Sequence, residues 1–147
     1  MESTRINFYK KWHGCQLEDG GCVRSQEYVV FQRAFKRLLN NIAKELGATL
    51  VSFTAGHYFE SAMFERNGRY AYLNREGGFS RSTPVLHRIL VRTAEHEKDY
   101  RGGSNNYPNW SQLTNEIDRL LGGKGEIENE DAFPWKQRFP DTIYDAC

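Results

Sequence analysis

Between residues 25 and 46, apolar side chains return every third or fourth position: Tyr28, Phe31, Phe35, Leu38, Leu39, Ile42 and Leu46. That spacing follows the 3.6-residue helical repeat and gathers these side chains on one face. Arg33, Lys36, Arg37, Asn40, Asn41 and Lys44 fall on the other. Ser25 stands where an N-cap belongs and Gly47 where a left-handed C′ residue belongs, so capping chemistry and period bound the helix together. Residues 49–53 are β-branched and aromatic and read as a strand. The period then drops to two. "YFESAMFERNGRYAYLNRE" (58–76) is a hairpin turning on Asn67-Gly68, the dipeptide that two-residue hairpin turns favour. In that register Glu60 faces Arg75 as a cross-strand ion pair. Ala62, Phe64, Ala71 and Leu73 share one face, and Phe59, Met63, Tyr70 and Tyr72 share the other. Neither face is plainly polar, so one is expected to be covered and the other to make contacts.

"GGFSRSTP" (77–84) is a connecting loop. Residues 85–94 alternate again, with Leu86, Arg88, Leu90 and Arg92 on one side and Val85, His87, Ile89 and Val91 on the other, and read as a further strand. "NWSQLTNEIDRLLGG" (109–123) is a short helix capped by Asn109 or Ser111, with Leu113, Ile117, Leu120 and Leu121 as its apolar stripe and Gly122 as its end. Residues 1–24 show no period, and "HGCQLEDGGC" within them holds three glycines, so they read as an irregular arm. Residues 123–147 combine Phe133, Trp135, Phe139 and Tyr144 with acidic groups, and part of this tail is expected to dock on the domain. The order helix, strand, hairpin, strand, helix predicts an α+β fold: three to four antiparallel strands packed by helices on one face.

A length of 147 residues fits one domain able to bury a core without staples. No run of about 18 apolar residues is present and the N-terminus has no apolar secretory region, so the expected location is the cytoplasm. Cys15, Cys22 and Cys147 read there as reduced thiols. The net charge of +1 conceals an asymmetry. From Lys124 onward three basic and six acidic residues leave −3, while 17 basic and 13 acidic residues before it leave +4. Neither figure is the strongly basic balance of a dedicated DNA-binding domain.

The most unusual stretch is "RTAEHEKDYRGGSNNYPNW" (92–110). It lacks the lysine and Ser/Thr of a phosphate-binding P-loop, although it precedes a helix N-terminus. Asp99, Tyr100, Arg101, Asn105, Asn106, Tyr107 and Trp110 offer charge, hydrogen bonds and flat apolar area. Tyr, Trp and Arg are the residue types that anchor protein interfaces, and these seven are the candidate partner-binding residues. The plainer alternative has Tyr100 and Tyr107 packed inward and the asparagines closing a turn.

Other chemistry is less developed. His13, Cys15 and Cys22 are three possible zinc ligands where a structural site uses four, so no metal and no cofactor are expected. His57, His87 and His96 with Glu60, Glu95, Glu97 and Asp99 could form a small His/carboxylate enzyme. No nucleophile elbow, zinc-protease helix or cysteine motif accompanies them, so the chain is read as non-enzymatic. Arg69, Tyr70, Tyr72, Arg75, Arg81, Arg88 and Arg92 interleave cations with aromatics as nucleic-acid-binding sheets do, the alternative being a half-exposed sheet with solvated arginines.

The hairpin "AGHYFESAMFERNGRYAYLN" and the segment "VRTAEHEKDYRGGSNNY" resemble small proteins carried by phages and integrative elements of Gram-positive bacteria. In those, a helix precedes a "GxYYxS…GFxxRNGKxVY"-like hairpin and a "VRTAKHxKDYTGGxNxY"-like loop. The resemblance covers about residues 30–121. Accessory proteins of such elements are often inhibitors of host defence, anti-CRISPR proteins among them. It implies a binding protein directed at a defence protein or ribonucleoprotein, such as an RNA-guided nuclease, in a bacterial host cell. Direct nucleic-acid binding is the next alternative.

Overall fold

The computed structural model describes residues 4–13, 26–56, 59–76, 86 and 89–127. In chain order these form α1 (Thr4–Trp12), α2 (Gln26–Glu45), β1 (Thr49–Ala55), β2 (Phe59–Arg66), β3 (Arg69–Glu76) and β4 (Ile89–Ala94). A single 3₁₀ turn (Trp110–Gln112) then leads into α3 (Leu113–Leu120). The strands make one antiparallel sheet in the order β1-β2-β3-β4, so each strand lies beside its sequence neighbour. The fold is α+β, as the alternation of patterns predicts.

The hairpin register is the expected one. Arg66 pairs with Arg69 across the turn, Met63 with Tyr72, and Glu60 with Arg75. Asn67 and Gly68 both take positive φ, 51° and 79°, the backbone that two-residue hairpin turns require. One bulge interrupts β1 between Leu50 and Ser52. Beyond it, Phe53 points to the helix side, where its ring meets Phe35 edge-on at 6.4 Å.

All three helices contribute to one cluster on a single face of the sheet. Phe31, Phe35, Leu38 and Ile42 of α2, Phe8, Tyr9 and Trp12 of α1, and Leu113 and Ile117 of α3 bury against Ala62, Phe64, Ala71, Leu73, Ile89 and Val91. Deleting one such large side chain from a packed core costs about 2–5 kcal/mol.

Three readings are corrected. Residues 4–12 are a helix rather than part of an irregular arm. Phe8 lies 5.8 Å from Phe35 and 5.7 Å from Trp110, so tertiary packing holds two turns of helix that would be marginal alone. β4 begins at Ile89, not at residue 85. Leu86 lies in a turn and joins the helix-side core with Ile89 and Val91, which alternation over 85–94 would not allow. Asn109 makes no side-chain cap; the start of the 3₁₀ turn is closed by the Gln112 N–H donating to the Asn109 carbonyl at 2.9 Å. The Ser25 cap and the acidic tail beyond Ile127 lie outside the described residues.

α2 and α3 end alike. Gly47 has φ 64°, its N–H donates to Lys44 O, and the Ala48 N–H donates to Ala43 O. Gly122 has φ 92°, its N–H donates to Arg119 O, and the Gly123 N–H donates to Asp118 O. Both are Schellman ends. Arg66 joins them: Nη1 donates to Leu46 O at 2.9 Å and to Asp118 Oδ1 at 2.7 Å, and Nη2 to Leu121 O at 3.3 Å. One guanidinium thereby serves carbonyls at two helix C-termini, where a cation is also favoured by the helix dipole.

At the opposite end of the hairpin, Glu60 and Arg75 are 0% and 1% exposed and form a bidentate pair. Gln32 donates to Glu60 Oε2 at 2.7 Å and to the Gly56 carbonyl at 2.9 Å, while Arg75 also donates to the Tyr28 hydroxyl. Burial pushes the Tyr28 phenol well above its ordinary value, so it stays protonated. Removing one partner of such a pair leaves a charge stranded in the core. We expect Glu60→Ala and Arg75→Ala each to lose about 3–5 kcal/mol in urea unfolding, and the double replacement Glu60→Leu/Arg75→Met to recover most of it. Single-variant losses below about 1 kcal/mol would contradict this assignment.

Candidate functional site

The segment from Glu95 to Tyr107 leaves the end of β4, runs along its outer edge and enters the 3₁₀ turn at Trp110. Two sets of bonds fix it. Val91 and Asn106 exchange backbone hydrogen bonds, both 2.9 Å, so the loop adds one antiparallel bridge to the free edge of β4. The Asp99 carboxylate turns inward and accepts the N–H groups of Glu95 at 2.9 Å, Arg101 at 3.2 Å and Gly102 at 2.8 Å. These backbone donors, Glu95 first, hold the Asp99 carboxyl below its usual value.

The two glycines have separate reasons. A side chain on Gly102 would run into the Asp99 carboxylate. Gly103 has φ 72° and sits against the Thr93 carbonyl, so both its backbone and its surroundings exclude a side chain.

Around this frame the candidate residues divide. Tyr100 is 51% exposed and meets Tyr72 edge-on at 5.8 Å; Tyr107 is 36% exposed. Arg101 and Asn105 are exposed, and Asn105 Oδ1 accepts from Arg92 at 3.4 Å. Asn106 is half-buried, its side chain donating to Ser104 O at 3.2 Å. Asp99 belongs to the frame rather than to the contact surface, since its oxygens are occupied by its own loop. Trp110 is also not on that surface. It is buried in the core, 5.7 Å from Phe8 and 6.0 Å from Tyr9. The surface the loop offers is therefore Tyr100, Arg101, Asn105 and Tyr107.

The arginine-and-tyrosine set does not assemble on one surface. Arg75 is sealed in the core with Glu60. Arg69 lies on the helix-facing side of β3, against Gly122. Tyr72 is buried and Tyr70 half-buried on the opposite side, where the Arg92 guanidinium lies 4.5 Å from the Tyr72 ring centre. Arg81 and Arg88 lie outside the described residues.

Of the histidines in the described residues, His96 lies within electrostatic reach of the Asp99 carboxylate, whose oxygens accept backbone N–H groups of its own loop. His13 stacks on Tyr9 and donates Nδ1–H to its carbonyl at 2.9 Å. His96 is exposed and accepts the Lys98 N–H at 3.2 Å. His57, His87, Cys15 and Cys22 lie outside the described residues. Among the described residues no three His, Cys, Asp or Glu side chains are placed to hold a metal, and no helix is long and apolar enough to cross a membrane.

Sequence reasoning missed the inward role of Asp99. Its signal was local: an aspartate two and three residues before amides it can bond, beside two glycines that leave room. Because folding lowers the Asp99 pKa, its contribution is complete above the ordinary aspartate value and fades as pH falls past the lowered folded one. We expect Asp99→Ala to speed hydrogen exchange at the Glu95, Arg101 and Gly102 amides while leaving Phe64 and Leu73 protected. Acidification of the native chain should release the same three amides before the core. Unchanged exchange at all three in Asp99→Ala would show that the loop is held by other means.

No protein-family profile, no curated protein and no solved structure matches this chain.

Proposed function

We propose that the chain is a non-enzymatic binding protein that docks through the loop Glu95–Tyr107. The observation that carries this reading is a loop fixed at both ends, by Asp99 and by the Val91–Asn106 bridge, with Tyr100, Arg101, Asn105 and Tyr107 turned outward. A loop with its backbone already ordered loses little freedom on binding, so more of the contact energy appears as affinity. Two tyrosines and an arginine are the residue types whose removal most often abolishes an interface.

The partner class comes from the resemblance to phage and mobile-element proteins. It points to a defence nuclease of the bacterial cytoplasm, an RNA-guided effector foremost, which the chain would inhibit by occupying its surface. Such a mechanism needs no catalytic group, and it is compatible with Asp99 being spent on loop structure.

The test compares the native chain with Arg101→Ala/Tyr107→Ala. Both positions are exposed, so unfolding stability should change by no more than about 0.5 kcal/mol. Binding to an RNA-guided effector, read by calorimetry, should weaken by at least about 2 kcal/mol, and inhibition of target cleavage should weaken with it. Failure of the native chain to bind or inhibit any such effector would sink the partner assignment. Equal binding by the native and double-variant chains would sink the loop assignment. Binding to short DNA or RNA tighter than about 10⁻⁴ M at physiological salt would favour a nucleic-acid accessory protein instead.

A further inference from the structure

The outer side of α2 is basic along most of its length. Arg33, Lys36, Arg37 and Lys44 are all exposed, with Asn40 and Asn41 exposed among them. At about 100° per residue, Arg33, Arg37, Asn40 and Lys44 fall within about 60° of arc and form one row about 16 Å long. Lys36 flanks the row toward β1, its Nζ 6.0 Å from the centre of the Phe53 ring. The two acids of α2, Glu27 and Glu45, are each turned about 110° from the middle of the row. Glu45 is engaged by Arg5 of α1 at 3.8 Å.

Among the described residues, none of the four cations pairs with a carboxylate. A surface helix is ordinarily steadied by Glu placed four residues before Lys or Arg. In α2 those positions hold Val29, Gln32, Arg33 and Asn40. Arg33 and Arg37 are therefore a like-charge pair one turn apart, which is unfavourable until an anion neutralises it. α1 packs beside α2, Phe8 against Phe31, and adds Arg5, Lys10 and Lys11 with no acid. Together the two helices hold seven basic and two acidic residues, +5, against −4 for the rest of the chain. A near-neutral total thus conceals one basic side, and local field rather than net charge decides what that side attracts.

A row of this sign fits a polyanion, and the side chains around it select which. A single nucleic-acid strand is held by aromatic residues that stack its bases, and none of the exposed residues of α2 is aromatic. A lipid surface requires apolar groups beside the cations. The large apolar side chains of α2 are turned into the core, and Val30 alone among them is exposed. A duplex backbone requires neither feature, since its phosphates accept from Arg, Lys and Asn directly.

We propose that the outer face of α2 binds the phosphate backbone of a nucleic-acid duplex, independently of sequence. The face lies over β1, whereas the loop Glu95–Tyr107 runs along β4 at the far edge of the sheet. Both surfaces are therefore open to engagement at once. A chain held by one presents the other at a high effective concentration, so a contact that is weak alone becomes useful. The α2 contact does not rest on the loop reading, and its test contains no effector.

The full-length chain is titrated onto fluorescein-labelled DNA and RNA duplexes of about 20 base pairs and mixed sequence, with anisotropy as the readout. About four phosphate contacts give log K a slope of about −3.6 against log salt. Binding of about 10⁻⁵ M at about 50 mM salt should then loosen roughly fifty-fold by about 150 mM. Both duplexes should bind, and the tighter names the source. Arg33→Gln/Arg37→Gln keeps a good helix former at both positions, so thermal unfolding should match the native chain. It should weaken binding at least about tenfold at low salt and flatten the slope by about two. Arg69→Gln/Lys124→Gln removes the same charge from exposed positions elsewhere and should stay within about twofold of native binding, because distant charges are screened. Equal losses in the two variants, or no binding to either duplex at low salt, would overturn the proposal. Tighter binding to a single strand of the same length, or equal displacement by polyglutamate of matched charge, would overturn the choice of a duplex.

Discussion

Helix and sheet are locked together by two charges from which water has been removed. Glu60 and Arg75 pair across β2 and β3, on the face that α2 covers, and α2 answers them with Gln32 and Tyr28 one turn apart. The Arg75 guanidinium also lies 5.1 Å from the Phe31 ring centre, so its flat face is packed as its edges are bonded. A buried pair of this kind adds little net stability over a well-packed apolar replacement, since desolvation offsets most of the attraction. What it adds here is selection among arrangements. Slipping β2 against β3 by one residue would send Glu60 to the other face and strand Arg75. Rotating α2 would withdraw Gln32 from both Glu60 and the Gly56 carbonyl. The network thus favours one register and one helix azimuth together.

The hairpin carries the complementary constraint at its other end. Arg66 gathers the closing carbonyls of α2 and α3, while Asp118, besides pairing with Arg66, accepts the Gly125 N–H at 2.8 Å. Helices on one side of a sheet have no ladder to align them. Here two arginines of one hairpin, Arg66 and Arg75, set their positions from opposite ends, and the aromatic cluster of Phe8, Phe31, Phe35 and Trp110 fills the space between.

How much of this could be read from the chain follows from how local each signal is. Period 3.6 over residues 25–46, the Asn67-Gly68 turn and the period-two strands all lie within short windows, and the Glu60–Arg75 pairing follows from the turn by counting. Burial of that pair did not follow, because it depends on Gln32, a polar residue on an apolar helix face whose reason lies 28 positions away. α1 was illegible for a similar cause: nine residues with no acidic group in the first turn gain their helicity from Phe31, Phe35 and Trp110. In the loop, the glycines were readable as backbone devices, and the exposure of Tyr100 and Tyr107 agreed with expectation. Trp110 was not separable from them by sequence, since a tryptophan at the mouth of a helix serves interface and core equally well.

The bridge between Val91 and Asn106 has a bearing on how this sheet meets other proteins. β4 is an outer strand, and an outer strand ordinarily exposes a row of amides and carbonyls that recruits foreign strands. Asn106 occupies the Val91 position in that row, and the chain on either side of it bends away. β1, the other outer strand, is broken by its bulge between Leu50 and Ser52. With one border plugged and the other kinked, the sheet is a poor template for another strand, in an aggregate or in a complex.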